Sequence, residues 1–172
     1  MGDSLITIVT IILAAILLFV FPMITIADRT DDISQIAVQT ATVDFVDSVR
    51  ETGKITPDNY GDFIEKINST GNTYTVDLEL RRLDENPSKK TASAEPQKIG
   101  ENTYYSIYTT QIENELNSGT LYLKQGDMFS AGVINSNQTL AEVLKNFFYQ
   151  VTGNSANTIT AKHAGVVMID GQ

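Results

Sequence analysis

Two hydrophobic patterns follow one another in the first third of the chain. From Leu5 to Ile26 twenty-two residues, LITIVTIILAAILLFVFPMITI, carry no charge, and only Thr7, Thr10, Pro22 and Thr25 interrupt the apolar run. At about 1.5 Å of rise per residue such a helix spans about 33 Å, enough to cross the hydrocarbon layer of a bilayer. From Ile33 the pattern turns amphipathic and continues without a breaker to Gly53. Ile33, Ala37, Ala41, Phe45 and Val49 recur every four residues, widened by Ile36, Val38, Thr40 and Val46, with Asp44, Asp47, Arg50 and Glu51 largely off the stripe. The pattern predicts one rod, from about Ser4 to Thr52, broken or bent close to Pro22, because proline removes a helical hydrogen bond.

Beyond Gly53, Thr56 is placed to cap a helix with Pro57 at its first position and Asp58 near the positive end of its dipole. Tyr60, Phe63, Ile64 and Ile67 keep helical spacing up to Gly71. The period then changes to two: Tyr74, Val76, Leu78 and Leu80 alternate with polar residues and predict a half-buried strand. Asp84 to Gly100 reads as a loop by composition. Tyr104 to Leu116 reads as a short strand or irregular turn running into a helix around Gln111 to Asn117. Leu121 and Leu123, followed by Met128 to Ile134, predict a hairpin around Gln125-Gly126-Asp127. Thr139 caps a helix whose Leu140, Val143, Leu144, Phe147, Phe148 and Val151 form its apolar stripe. Thr158 to Ile169 predicts a last strand, with Gly165 as a bulge. The expected fold class is α+β: a long N-terminal helix, membrane-length in its apolar half, with a small antiparallel-sheet head. The division is a stalk over 1–53 and a head over 54–172.

Charge and composition narrow the partners. A net charge of -9 argues against nucleic acid or anionic lipid as partners, both of which call for basic patches. Cysteine is absent, which removes disulfides and thiolate chemistry together. A cleavable signal fits poorly, since no Lys or Arg precedes the run, which is long for a signal's apolar core. The hydrophilic C-terminal part is placed outside the cell.

Catalysis finds no support in the motifs. The single histidine, His163, falls in the last strand, and no G-x-S-x-G, S-x-x-K, H-E-x-x-H or P-loop pattern occurs. Asp28, Asp31 and Asp32 cluster just past the apolar run, where a solvated helix face competes with calcium binding; the EF-hand pattern is missing. No enzyme activity, cofactor or metal is expected. The chain also has no LPxTG-like sorting motif and no C-terminal apolar tail, against a sortase-assembled pilin.

This layout, an apolar run interrupted by Pro22 near its end, then an amphipathic continuation and an α+β head, resembles bacterial type IV pilins. The wording IADRTDDISQIAVQTAT, DFVDSVRETGKIT and TGNTYTVDLEL, with LDENP after it, is similar to small surface proteins of Gram-positive anaerobes associated with tight-adherence-type pilus machinery. The resemblance covers roughly residues 1–87. It implies a structural subunit of an extracellular filament at the cell surface, drawn from a membrane-anchored pool by pilus assembly machinery. The homo-oligomer would be held by N-terminal helices in its core, with acidic heads outside. Asp3, Leu5, Ile8, Ile12, Ile16, Phe19 and Pro22 would be the assembly residues. Asp3 would neutralise the N-terminal amine of a neighbour, or else only complement its own helix dipole. The alternative function is a monomeric, membrane-anchored extracytoplasmic binding or accessory protein of such machinery.

Overall fold

A helix with no breaker between its greasy and amphipathic halves forms a single element, α1, over Gly2–Thr52. The computed structural model describes residues 2–83, 104–149 and 158–171, the side chains of 147–149 excepted. Pro22 lies inside α1, so of the expected break or bend at this position the break does not occur. Then follow β1 (Lys54–Ile55), α2 (Pro57–Asn68), β2 (Tyr74–Leu83), β3 (Tyr104–Tyr108) and α3 (Thr109–Ser118). The chain continues through β4 (Leu121–Tyr122), β5 (Met128–Asn135), α4 (Leu140–Tyr149) and β6 (Thr160–Val166). The expected loop from Asp84 to Gly100 and the apolar position Val151 lie outside the described residues.

The fold is α+β. Four strands form an antiparallel sheet in the order β3-β2-β5-β6, and β1 pairs with β4 in a small second sheet. The second half of α1 lies across one face of the larger sheet, against β5 and β6, with α2 beside it. Period two in the strands puts Leu78 and Leu80 of β2, Phe129, Ala131 and Val133 of β5, Ile107 of β3 and Ala161 of β6 on that covered face. Opposite them α1 supplies Val38, Ala41, Phe45, Val46 and Val49. Phe45 stacks on Phe63 of α2, ring centroids 4.5 Å apart, and meets Phe129 edge-on at 5.7 Å.

The expected stripe on α1 is only partly the buried one. Ala41, Phe45 and Val49 are buried, but Ile33, Ile36, Ala37 and Thr40 are exposed. The reason is helical geometry. A step of four residues overshoots a full turn by about 40°, so a stripe of period four drifts by about 120° between Ile33 and Phe45. The head takes up the face of Ser34, Val38, Thr42 and Phe45 instead.

Two strand expectations are also corrected. Leu121 and Leu123 do not form a hairpin with Met128 to Ile134, because β4 is claimed by β1, with Lys54 opposite Tyr122 and Ile55 opposite Leu121. The turn after it is closed by Asp127, which accepts a bond from the Lys124 amide at 2.9 Å and returns its own amide to the Lys124 carbonyl at 3.0 Å. That turn passes the chain from one sheet to the other, where β5 pairs with β2 and β6. Gly165 is no bulge: it sits in regular register opposite Phe129. A Cβ there would run into the Arg50 side chain, which crosses β6 to donate to the Val166 carbonyl at 3.1 Å. Glycine is the residue that leaves room.

The capping expectations hold in detail. The Thr56 hydroxyl accepts from the Asn59 amide at 3.1 Å while the Asn59 side chain accepts from the Thr56 amide at 2.9 Å. Thr139 and Glu142 repeat the arrangement at the start of α4, with bonds of 3.2 and 3.1 Å.

Where the rod meets the head, Gly53 has φ +66°, and a Cβ on it would strike the backbone of Ile169, Asp170 and Gly171. The Gly53 carbonyl accepts from the Leu123 amide at 2.7 Å, and Leu123 in turn accepts from Gly171 at 2.9 Å. Gly53→Ala therefore meets both a left-handed backbone and an immovable neighbour. A loss of about 3 kcal/mol is expected in the unfolding free energy, measured by denaturant titration. A loss below about 1 kcal/mol would mean that the C-terminal segment does not seal this joint.

The exposed stalk as candidate functional site

The apolar run was composed to be covered, yet its own chain does not cover it. From Leu5 to Phe19 no side chain is buried; Leu5 is 66%, Ile12 55% and Phe19 72% exposed. The first buried residue along the rod is Ala27. Exposure extends around the circumference: Leu18 and Phe21 lie on other sides of the helix and are about as open as Leu5. A helix apolar on all sides belongs in lipid or in a packed core, not in water.

At 100° per residue Leu5, Ile8, Ile12, Ile16 and Phe19 fall within one narrow stripe, with Pro22 to one side and Asp3 near the opposite face. Five of the proposed assembly residues thus line up on the rod, and none of them is buried among the described residues. The few polar groups of the run are turned inward on the backbone. Thr7 and Thr10 donate to the carbonyls of Asp3 and Ile6, each at 2.8 Å, and Thr25 donates to Phe21 at 3.1 Å. Water would satisfy those hydroxyls unaided; in an apolar surrounding the bond back to the preceding turn removes the cost of burying them. Pro22 leaves the Leu18 carbonyl without its helical donor, the one backbone group in the run that its own helix cannot satisfy.

Just past the run, α4 is fastened to the rod by two of the three clustered acids, Asp28 and Asp31. Asp28 forms an ion pair with Lys145, and Asp31 accepts a hydrogen bond from the Thr139 hydroxyl at 2.6 Å. One turn on, Gln35 bonds both polar atoms of the Thr160 backbone, at 2.6 and 2.9 Å. Asp28, Asp31, Asp32, Glu142 and Lys145 surround a pocket of about 420 Å³, but two of its acids are committed to holding α4. Among the described residues no group of three His, Cys, Asp or Glu side chains is arranged to hold a metal ion. The cap threonine Thr139 could be read from the chain. The reach of Thr139 to Asp31, more than a hundred positions away, could not.

His163 stands 3.3 Å from Asp47, which also receives the Arg50 guanidinium at 2.6 Å. The bond from Arg50 holds the Asp47 carboxyl below the usual aspartate range, helped by the neighbouring His163. Such a group stabilises the fold above its unfolded pKa, and that contribution fades as pH falls through the depressed value. The cluster ties β6 to the rod; it offers no nucleophile and no cleft. Burial and the adjacent Glu113 carboxylate raise the Tyr60 phenol, which stays protonated and donates to Glu113 at 2.9 Å.

Compared with known proteins, the chain matches no protein-family model, no curated protein and no solved structure, so what can be said of its function rests on its own residues.

Proposed function

We propose that this protein is a structural subunit of an extracellular, type IV pilus-like filament, stored in the membrane through Leu5 to Ile26 and assembled by packing those helices in the filament core. The observation that carries this reading is a rod continuous from Gly2 to Thr52 whose second half is built into the head while its apolar first half has no cover from its own chain. A helix in lipid satisfies its backbone, so the stored form is stable; outside lipid, the same surface must be covered by other copies. The internal bonds of the threonines suit both surroundings. The uniform apolarity around the rod suits a second reading equally, that of a monomeric anchored accessory protein with lipid as its permanent cover.

Electron microscopy of material sheared from cells that express the protein separates the two. Filaments that contain it support assembly; its confinement to the membrane fraction would leave the anchored reading. Asp3→Ala refines the test. If the Asp3 carboxylate neutralises a neighbour's N-terminal amine in an apolar bundle, its loss leaves a buried charge that costs several kcal/mol, while insertion of the monomer is untouched. Filament yield is expected to fall sharply with membrane content unchanged. Equal filament yields in mutant and parent would assign Asp3 no part in assembly.

A further inference from the structure

The geometry points to a second membrane contact: the underside of the head, led by Leu140 and Val143 of α4, rests on the lipid interface whenever the apolar run is inserted. This rests on the reading of Leu5 to Ile26 as a membrane span and not on filament formation. The depth of α4 is set by covalent and hydrogen-bonded connections to the rod. Asp28 and Asp31 hold Lys145 and Thr139, so the helix is pinned within the first turn and a half beyond Ile26. Its first residue reaches lower still. Leu140 lines a groove of about 690 Å³ together with Phe19, Pro22, Met23 and Ile26 of the rod. Those four positions span about 10 Å of helix rise, all of it within the apolar run.

A run of this length fills a hydrocarbon layer of about 30 Å, which places Ile26 at its edge and Met23 inside it. The head cannot stand clear of the surface, because Leu140 lines the same groove as Met23. Leu140, 61% exposed, and Val143, 49% exposed, lack cover from the described residues and lie on one side of α4, while Ala141 is buried. The polar part of the lining is mostly uncharged, with Thr30, Asn72, Asn137 and Gln138; its one charged side chain, Asp31, is bonded to Thr139. Apolar side chains with mostly uncharged polar neighbours suit the boundary between headgroups and acyl chains. The acids just above, Asp28, Asp32 and Glu142, disfavour an anionic surface, so the occupant is a zwitterionic phospholipid interface.

The absence of cysteine makes single labels unambiguous. The full-length protein carrying Leu140→Cys, Val143→Cys, Leu13→Cys or Ile169→Cys is labelled with an environment-sensitive fluorophore. It is then reconstituted at low density in phosphatidylcholine vesicles, and nitroxide lipids quench from near the headgroup or from deep in the acyl chain. Ile169 is an exposed apolar control at the level of Gly53, about 40 Å along the rod from Ile26. Labels at 140 and 143 are expected to be quenched several-fold more than at 169, and more by the shallow nitroxide than by the deep one. The label at 13 should show the reverse order of depth. Quenching at 140 and 143 no greater than at 169, with Leu13 still deep, overturns the seating of the head and leaves the span intact. A label at 13 beyond reach of both nitroxides overturns the span and the seating together. Shielding at 140 that disappears when protein is diluted at constant lipid means that a second copy, not lipid, covers α4, and also overturns the proposal.

Discussion

A fragment beginning at Asp28 is expected to be a soluble monomer with the head's fold intact, whereas the whole chain requires lipid, detergent or its own copies. The apolar run presents fourteen large side chains to solvent, from Leu5 to Ile26, each more than two-fifths exposed. At about 1.5 to 3 kcal/mol for burying such a side chain, the drive to cover them is on the order of 20 kcal/mol or more before the entropy of association is subtracted. The cut removes almost nothing from the core, since only Ala27 is buried before Ser34 and the core cluster begins at Val38. It also leaves a good helix start: Asp28 and Asp31 stand in the first turn, with Asp32 just beyond it, where carboxylates favour the positive end of the dipole. Sedimentation analysis should give a single monomeric species, with circular dichroism showing the expected mixture of helix and strand. Filaments formed by the fragment would place the assembly surface on the head and remove the rod from that role.

How far the chain declared this arrangement differs by element. The rod, its apolar half, the cap threonines Thr56 and Thr139 and the strand from Tyr74 onward were legible because each depends on local chemistry: period, capping residues and turn residues within a few positions. The pairing of β4 was not. Leu121 and Leu123 alternate as a hairpin arm would, and the choice between β5 and β1 was decided by Gly53 and Gly171 closing around Leu123 from distant parts of the chain. Gly165 misled for a related reason: its smallness serves Arg50 of another element, not its own strand. The buried face of α1 was displaced because the head, and not the apolar count, decides which side of an over-wide stripe is covered. The candidate site divides along the same line. Its apolar residues could be picked from the sequence, whereas the fastening of α4 to Asp28 and Asp31 depends on pairs of residues that no local pattern connects.

Phe45→Ala is expected to be the most damaging single substitution in the core. The ring is 5% exposed, lies almost parallel to Phe63 with an interplanar angle of 7°, and meets Phe129 at 80°. It is therefore the place where rod, second helix and central strand are joined by one side chain. Truncation removes the transfer free energy of the ring and leaves a void between three rigid elements that cannot close independently, which costs about 3 to 5 kcal/mol. The stacked and edge-on geometry adds about 0.5 to 1.5 kcal/mol for each aromatic pair beyond the area buried. Against a total of about 5 to 15 kcal/mol for a domain of this kind, the loss takes roughly a quarter or more of the stability. Phe45→Leu keeps most of the volume and should cost about 1 to 2 kcal/mol. Urea unfolding of the Asp28 fragment carrying each substitution measures both. The rod also runs into the membrane-length segment, so a cavity at Phe45 loosens the grip of the head on its own stalk, and proteolysis between Gly53 and Pro57 should accelerate in step with the lost stability. A cost below about 1 kcal/mol for Phe45→Ala would show that the ring cluster does not join the rod to the head. The packing of Val38, Ala41, Val46 and Val49, with the hydrogen bonds of Gln35, Asp31 and Arg50, would then have to hold it there.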